Sequence, residues 1–248
     1  MRPDYVDFHT HLDLYPDLAR AIAICDGQRV ATLAVTTTPK AFERNLELSA
    51  GSDFVRVGLG LHPQLVAQRH KEIDLFETLL PRTRYVGEVG LDRGPAHSRS
   101  FELQCSIFAR ILRACAEEGG KILSLHSVRA TKPVLYMLVE HLPPGRAQVV
   151  LHWFSGSRSD VRRAVERGCF LGKRGMLRSA NGKRVLRGIP KDRVLTETDG
   201  PFLLRGDNPI APGDVHHVVE MMAALLETPI EDVRRQILSN LRSLTTSI

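Results

Sequence analysis

Short apolar runs alternate along the chain with longer amphipathic stretches, and most of the runs end in a residue able to bind a metal or carry a proton. The segments YVDFH, VATLAVTTT, FVRVGLGLH, RYVGEVG, KILSLH, AQVVLH, CFLGK and RVLTETD read as eight strands. Between them the spacing predicts helices over 17–28, 40–50, 71–80, 99–118, 132–140, 157–167 and 182–186, followed by two more at 213–227 and 229–241. Eight parallel strands with intervening helices close most economically into a (β/α)8 TIM barrel, an α/β fold whose active site gathers at the carboxyl ends of the strands. No linker rich in Pro, Gly or Ser, low-complexity tract or internal repeat breaks the pattern, so residues 1–248 read as one barrel domain. The stretch 206–213 is the nearest to a linker, and a loop after the eighth strand explains it more simply.

Composition narrows this picture. A chain of 248 residues that is 43% hydrophobic can fill such a barrel. It has no apolar stretch of bilayer length and opens into MRPDYVDFH without a basic-then-apolar leader, which points to a cytoplasmic protein. Cys25, Cys105, Cys115 and Cys169 are scattered without zinc-type pairing and are expected to be reduced and structural. The net charge of +6 and a pI near 9.4 favour an anionic partner without identifying it.

The candidate chemistry lies at the strand ends. Successive strand residues face opposite ways, so Asp7, His9 and His11 share one face if the first strand continues to His11. His62 ends strand three, Glu88 strand four, His126 strand five, His152 strand six and Asp199 strand eight. Each has an ordinary explanation when taken alone. His9 and His11 could be polar residues at a strand end, Glu88 could pair with an arginine, Asp199 could cap a turn, and His126 and His152 could be satisfied structural histidines. Unrelated structural needs would not place all of them after strands 1, 4, 5, 6 and 8, so the set reads as a metal site.

The same residues carry a family resemblance. The segments VDFHTHLD (6–13), VGLGLHP (57–63), VGEVGLD (86–92), LHS (125–127), LHWFSG (151–156) and VLTETDGPFL (194–203), with DNP (207–209) and Asn240 later, run through nearly the whole chain. In this order and spacing the chain resembles a TatD-type metal-dependent hydrolase of the amidohydrolase superfamily. The resemblance implies a TIM barrel that hydrolyses phosphodiesters in DNA by trimming from an end. Two departures bear on substrate contacts. Arg93-Gly94-Pro95 stands where the family continues with aromatics, and His126-Ser-Val-Arg129-Ala130 moves the family's arginine by one position. They leave the metal set intact and resemble a divergent branch such as the TatD-like components of antiphage defence systems, where protein partners would form a larger complex.

A phosphodiester is anionic and resists water, so its hydrolysis calls for cations that neutralise it and generate hydroxide at neutral pH. Two divalent ions would supply both. The expected assignment gives His9, His11 and Asp199 to one ion and His126 and His152 to the second, with Glu88 bridging; Glu88 and Asp199 would be catalytic, Asp199 also shuttling the proton. Imidazole and carboxylate ligands suit Zn, Mn or Fe, and the resemblance adds Mg. Asp7 could orient a ligand or the adjacent loop or serve only as structure, and His62 could contact a phosphate or leaving group or be a hydrogen-bonded loop residue held by Pro63. Arg129, Lys173, Arg174, Arg178 and Arg205 follow strands five, seven and eight, where they could grip flanking phosphates. Trp153 and Phe154 could stack on a base, although a packed barrel rim is the plainer reading for Trp153.

Two other functional classes stay open on the sequence. One is a hydrolase of the same fold acting on another ester, such as an aminoacyl-tRNA, a lactone or a phosphotriester; Glu88 argues mildly against the last, whose bridging ligand is a modified lysine. The other is a binding subunit of a larger assembly in which the metal only stabilises the barrel. Structural metal sites are usually closed and often thiolate-rich, unlike imidazoles and carboxylates at a barrel mouth.

Overall fold

The computed structural model describes residues 1–173 and 180–246, apart from the side chains of residues 173, 180 and 181. The apolar runs form strands β1 (Tyr5–Thr10), β2 (Val30–Val35), β3 (Val55–Gly58), β4 (Tyr85–Gly90), β5 (Lys121–His126), β6 (Ala147–Leu151), β7 (Phe170–Lys173) and β8 (Val194–Thr196). Ladder pairing along β1–β3 and along β4–β8 is parallel throughout. Two seams close the circle. At one, Leu59 N donates to Tyr85 O at 3.0 Å and Gly87 N to Leu59 O at 2.9 Å. At the other, Asp199 N donates to His9 O at 2.9 Å and His11 N to Gly200 O at 2.8 Å. The result is the expected TIM barrel.

Helices α1 (Leu18–Gly27), α2 (Pro39–Ser49), α3 (Val66–Arg69), α4 (Ile73–Leu79), α5 (Phe101–Glu118), α6 (Thr131–His141), α7 (Arg158–Glu166), α8 (Ala180–Leu186), α9 (His216–Leu226) and α10 (Ile230–Thr246) follow the strands. Their buried faces recur at helical spacing. In α5 these are Ile107, Phe108, Ile111, Leu112 and Cys115, which join Phe42, Phe76 and Phe170 in the main core. Each such side chain contributes roughly 1.5–3 kcal/mol when fully buried. Helix α7 starts where Ser157 and Asp160 form a reciprocal capping box.

Differences from the sequence reading have local causes. The predicted second and third strands ran to 38 and 62, but the ladders stop at Val35 and Gly58, after which Thr36 N donates to both Gly58 O and Gly87 O at 3.1 Å. The predicted helix 229–241 runs on to Thr246, because Leu244 continues the buried stripe of Val233, Ile237 and Asn240. Helix α3 is too short to show periodicity in sequence. Within the loop read at 206–213, Asn208 and Pro209 pair antiparallel with Arg205 and Leu204 in a two-residue hairpin.

One packing contact bears directly on the site. Asn240 Nδ2 donates to Lys191 O and Val194 O, each at 2.8 Å, so α10 clamps the start of the strand that leads to Asp199. The four cysteines are free thiols, and burial pushes Cys25, Cys115 and Cys169 up to about 12. No described helix is long and apolar enough to cross a membrane.

Candidate metal centre

At the carboxyl end of the barrel, His9, His11, His62, Glu88, His126, His152 and Asp199 converge around the Glu88 carboxylate. Glu88 Oε2 lies 3.4 Å from His9 Nε2, 3.2 Å from His11 Nε2 and 3.2 Å from His62 Nε2. Glu88 Oε1 lies 2.5 Å from His126 Nδ1 and 3.9 Å from His152 Nε2. Asp199 Oδ1 faces His11, His152 and His9 at 3.6, 3.7 and 3.9 Å. Among the described residues, the compact triads able to hold an ion are His9–His152–Asp199, His9–His11–Glu88 and His62–Glu88–His126. His152 Nε2 faces the same Glu88 oxygen as His126 Nδ1, and it also falls in a triad with His9 and Asp199.

A carboxylate outside the expected set, Glu197, orients the His152 ring. Glu197 Oε2 lies 3.2 Å from His152 Nδ1 and turns Nε2 toward Asp199, while Glu197 Oε1 accepts from Trp153 N at 2.8 Å. Gly172 on β7 leaves the space this carboxylate fills, since a Cβ there would sit 2.0 Å from Glu197 Oε2. Ser124 Oγ holds His9 Nδ1 at 2.8 Å in the same manner, and Asp92 Oδ2 holds His126 Nε2 at 2.9 Å. Such outer partners fix the tautomer and orientation of metal-binding imidazoles. Alternation could have found Glu197, two residues before Asp199 in TETD. Asp7 grips Thr198 from below: its Oδ1 accepts from the amide at 2.8 Å and its Oδ2 from the hydroxyl at 2.6 Å. Asp199 next to it has left-handed backbone, φ 55°, a conformation few non-glycine residues adopt and one often tied to function.

Electrostatics separate the groups. Burial alone would raise the Glu88 carboxyl, but His62, His126 and His9 outweigh it and hold the group well below the usual carboxylate range. Burial pushes Asp199 up to about 6 and Asp7 up to about 7. Burial would depress His126 and His152, yet Glu88 with Asp92 lifts the first to about 9, and Glu197 with Asp199 lifts the second to about 10. Desolvation instead drives His9 well below the usual imidazole value and lowers His62. His9 Nε2 and both His11 ring nitrogens are buried without a hydrogen-bond partner. Buried donors and acceptors are costly to leave unmade, and imidazoles facing carboxylates are a fitting donor set for a divalent ion.

The expected substrate contacts are placed less uniformly. His62 is at the centre, its Nδ1 accepting from Gln64 N at 3.2 Å, which leaves its proton on Nε2 toward Glu88. Arg129 is exposed at the mouth with φ 52°. Arg205 forks onto Asp214 at 3.0 and 2.9 Å. Arg174 and Arg178 lie outside the described residues, as does the side chain of Lys173. Phe154 is a correction: at 1% exposure it is a core residue and presents no face to a base, because it packs beneath the loop against Gly156. Trp153 is half-buried beside His152, with ring centroids 6.1 Å apart. Among the described residues an exposed ring at the mouth is Phe202, outside the expected contact set.

Replacing Glu197 with alanine is expected to weaken metal affinity about 10- to 100-fold, the usual effect of losing an outer partner. Calorimetric titration with Zn or Mn would measure it, and unchanged affinity would show that His152 needs no such orientation.

An eight-stranded parallel barrel with imidazoles and carboxylates gathered at one mouth defines a metal-dependent hydrolase. The sequence pattern of the TatD related DNase family matches residues 6–246, and the chain belongs to that family. The uncharacterized metal-dependent hydrolase YabD of Bacillus subtilis is 28% identical over 243 residues, spanning 92% of this chain and 93% of that protein. The 3'-5' ssDNA/RNA exonuclease TatD of Erwinia amylovora is 31% identical over 199 residues, spanning 75% and 76% respectively. Among solved structures, the Escherichia coli TatD homologue YJJV superposes with a TM-score of 0.87 at 26% identity over 98% of both chains.

Proposed function

We propose that the protein hydrolyses phosphodiester bonds in DNA from a strand end, using two divalent ions. The observation that carries this reading is the convergence of four imidazoles on the one carboxylate of Glu88, with Asp199 opposite. His9, His11 and Asp199 would hold one ion and His126 and His152 the other, with the Glu88 carboxylate shared by both groups. Bound there, divalent ions would neutralise the diester and lower the pKa of water. One relative is named a deoxyribonuclease and another an exonuclease of single-stranded DNA and RNA, which supports a nucleic-acid substrate.

The chain's own groups divide the remaining work. Asp199, whose Oδ1 faces His9, His11 and His152 across from Glu88, would accept a proton from water at the site. His62, with Nδ1 accepting from Gln64 N and Nε2–H directed into the site, would donate a hydrogen bond to a phosphate or leaving oxygen. Asp7, Glu197, Ser124 and Asp92 keep the other groups in place. The excess of 34 basic over 28 acidic residues suits an anionic substrate. A reducing cytoplasmic compartment suits the free thiols.

End-labelled single- and double-stranded DNA, RNA and aminoacyl-tRNA, incubated with metal-loaded protein, test the reading. A ladder shortening from one end of DNA, lost with chelator, is the expected result. Ester release from tRNA without strand cleavage would replace the nuclease reading with an esterase one.

A further inference from the structure

Phe202 is 60% exposed and stands beside the buried polar centre. Its ring lies edge-on to His11, with centroids 5.1 Å apart and planes at 75°. From His11 a chain of ring contacts runs to His9 at 5.2 Å, on to His152 at 3.4 Å and out to Trp153 at 6.1 Å. Phe202 therefore stands at one end of the row of imidazoles proposed to hold metal. Its backbone is held: Phe202 N donates to Asp199 O at 3.1 Å, and Ile210 N donates to Leu203 O at 2.8 Å. Leu204, 59% exposed, extends the apolar surface next to it.

A phenyl face has no hydrogen-bonding group with which to read base identity. It can stack on any nucleobase, because every base has a π-face. Stacking requires the base to be unpaired, since a base inside a duplex already has both faces covered by its neighbours.

Resting on the nuclease reading above, we propose that Phe202 is the stacking platform for the unpaired nucleobase that adjoins the scissile phosphate. It binds that base without regard to sequence and so positions the diester over the His11 side of the centre. Duplex ends must fray before they can use it.

The test uses metal-loaded full-length protein and single-stranded oligonucleotides that carry either a normal nucleotide or an abasic sugar next to the scissile bond. Phe202→Ala should raise KM for the normal strand about 5- to 150-fold, the range seen when a base-stacking ring is removed. The rate constant kcat should change little. Phe202→Tyr should restore KM, whereas Phe202→Leu, which keeps apolar bulk without a ring, should not. On the abasic strand wild-type protein should already show the raised KM, and Phe202→Ala should add no further penalty. Binding without turnover gives a second readout: a 2-aminopurine at that position should be quenched by metal-free wild-type protein and by Phe202→Tyr, and not by Phe202→Leu. An equal penalty on normal and abasic strands, or rescue by leucine, would overturn the proposal and leave the nuclease reading standing. Wild-type protein that neither cleaves nor quenches any strand would overturn both.

Discussion

Glu88→Gln is expected to reduce hydrolysis by about 10³-fold or more while leaving a folded barrel. Four ring nitrogens lie within 3.4 Å of the two Glu88 oxygens, so one carboxylate is shared by the whole cluster. The amide of glutamine has nearly the same shape, fills the same space and loses the charge. An ion that depends on that charge would bind weakly or shift, and the charge stabilisation it gives the reaction is worth several kcal/mol; about 4 kcal/mol corresponds to about 10³ in rate. Steady-state rates on a labelled oligonucleotide, with circular dichroism as the check on folding, would measure the effect. A variant that retains more than about a tenth of wild-type activity would remove Glu88 from the centre of the chemistry.

Metal removal should produce the second large change, in stability as well as in activity. Metal bound only to the folded state stabilises it by about 2.7 kcal/mol per site at a hundred times Kd. For a protein of this size that corresponds to a fall in Tm of roughly 5–10 °C per site on chelation. The pH dependence has a defined sign. In the metal-free protein His126 and His152 are raised to about 9 and about 10. Their protonation therefore stabilises the metal-free fold fully below the unfolded imidazole value of about 6.5, and that contribution disappears as pH rises through 9 to 10. An ion must displace those protons, so metal uptake at pH 7 should release protons and tighten as pH increases. Calorimetry in two buffers of different ionisation enthalpy would detect the release. Uptake without proton release would mean that neither imidazole is a ligand.

Much of the barrel was legible because its strands are short, apolar and closed by polar residues. KILSLH occupies in the structure the same span, Lys121–His126, that the sequence pattern marks. The convergence at the mouth followed from the same regularity, since a parallel barrel brings all its strand ends to one face. What the pattern could not carry were contacts across the barrel. Ser124 reaches His9 across 115 residues of sequence, and Glu197 reaches His152 across 45, so neither pairing has a local signature. Without Glu197, nothing in the sequence sets which way the His152 ring turns. Phe154 and Phe202 posed a related difficulty. Both are phenylalanines just after a strand, and only the packing of their loops buries one to 1% and leaves the other 60% exposed.

An anomalous difference map from a crystal soaked in Mn would test the two-ion centre most directly. Two peaks about 3.5–4 Å apart, the usual spacing of paired catalytic ions, are predicted on either side of the Glu88 carboxylate, one toward His9 and His11 and one toward His126. Density at neither position, or a single ion away from Glu88, would contradict the proposed centre.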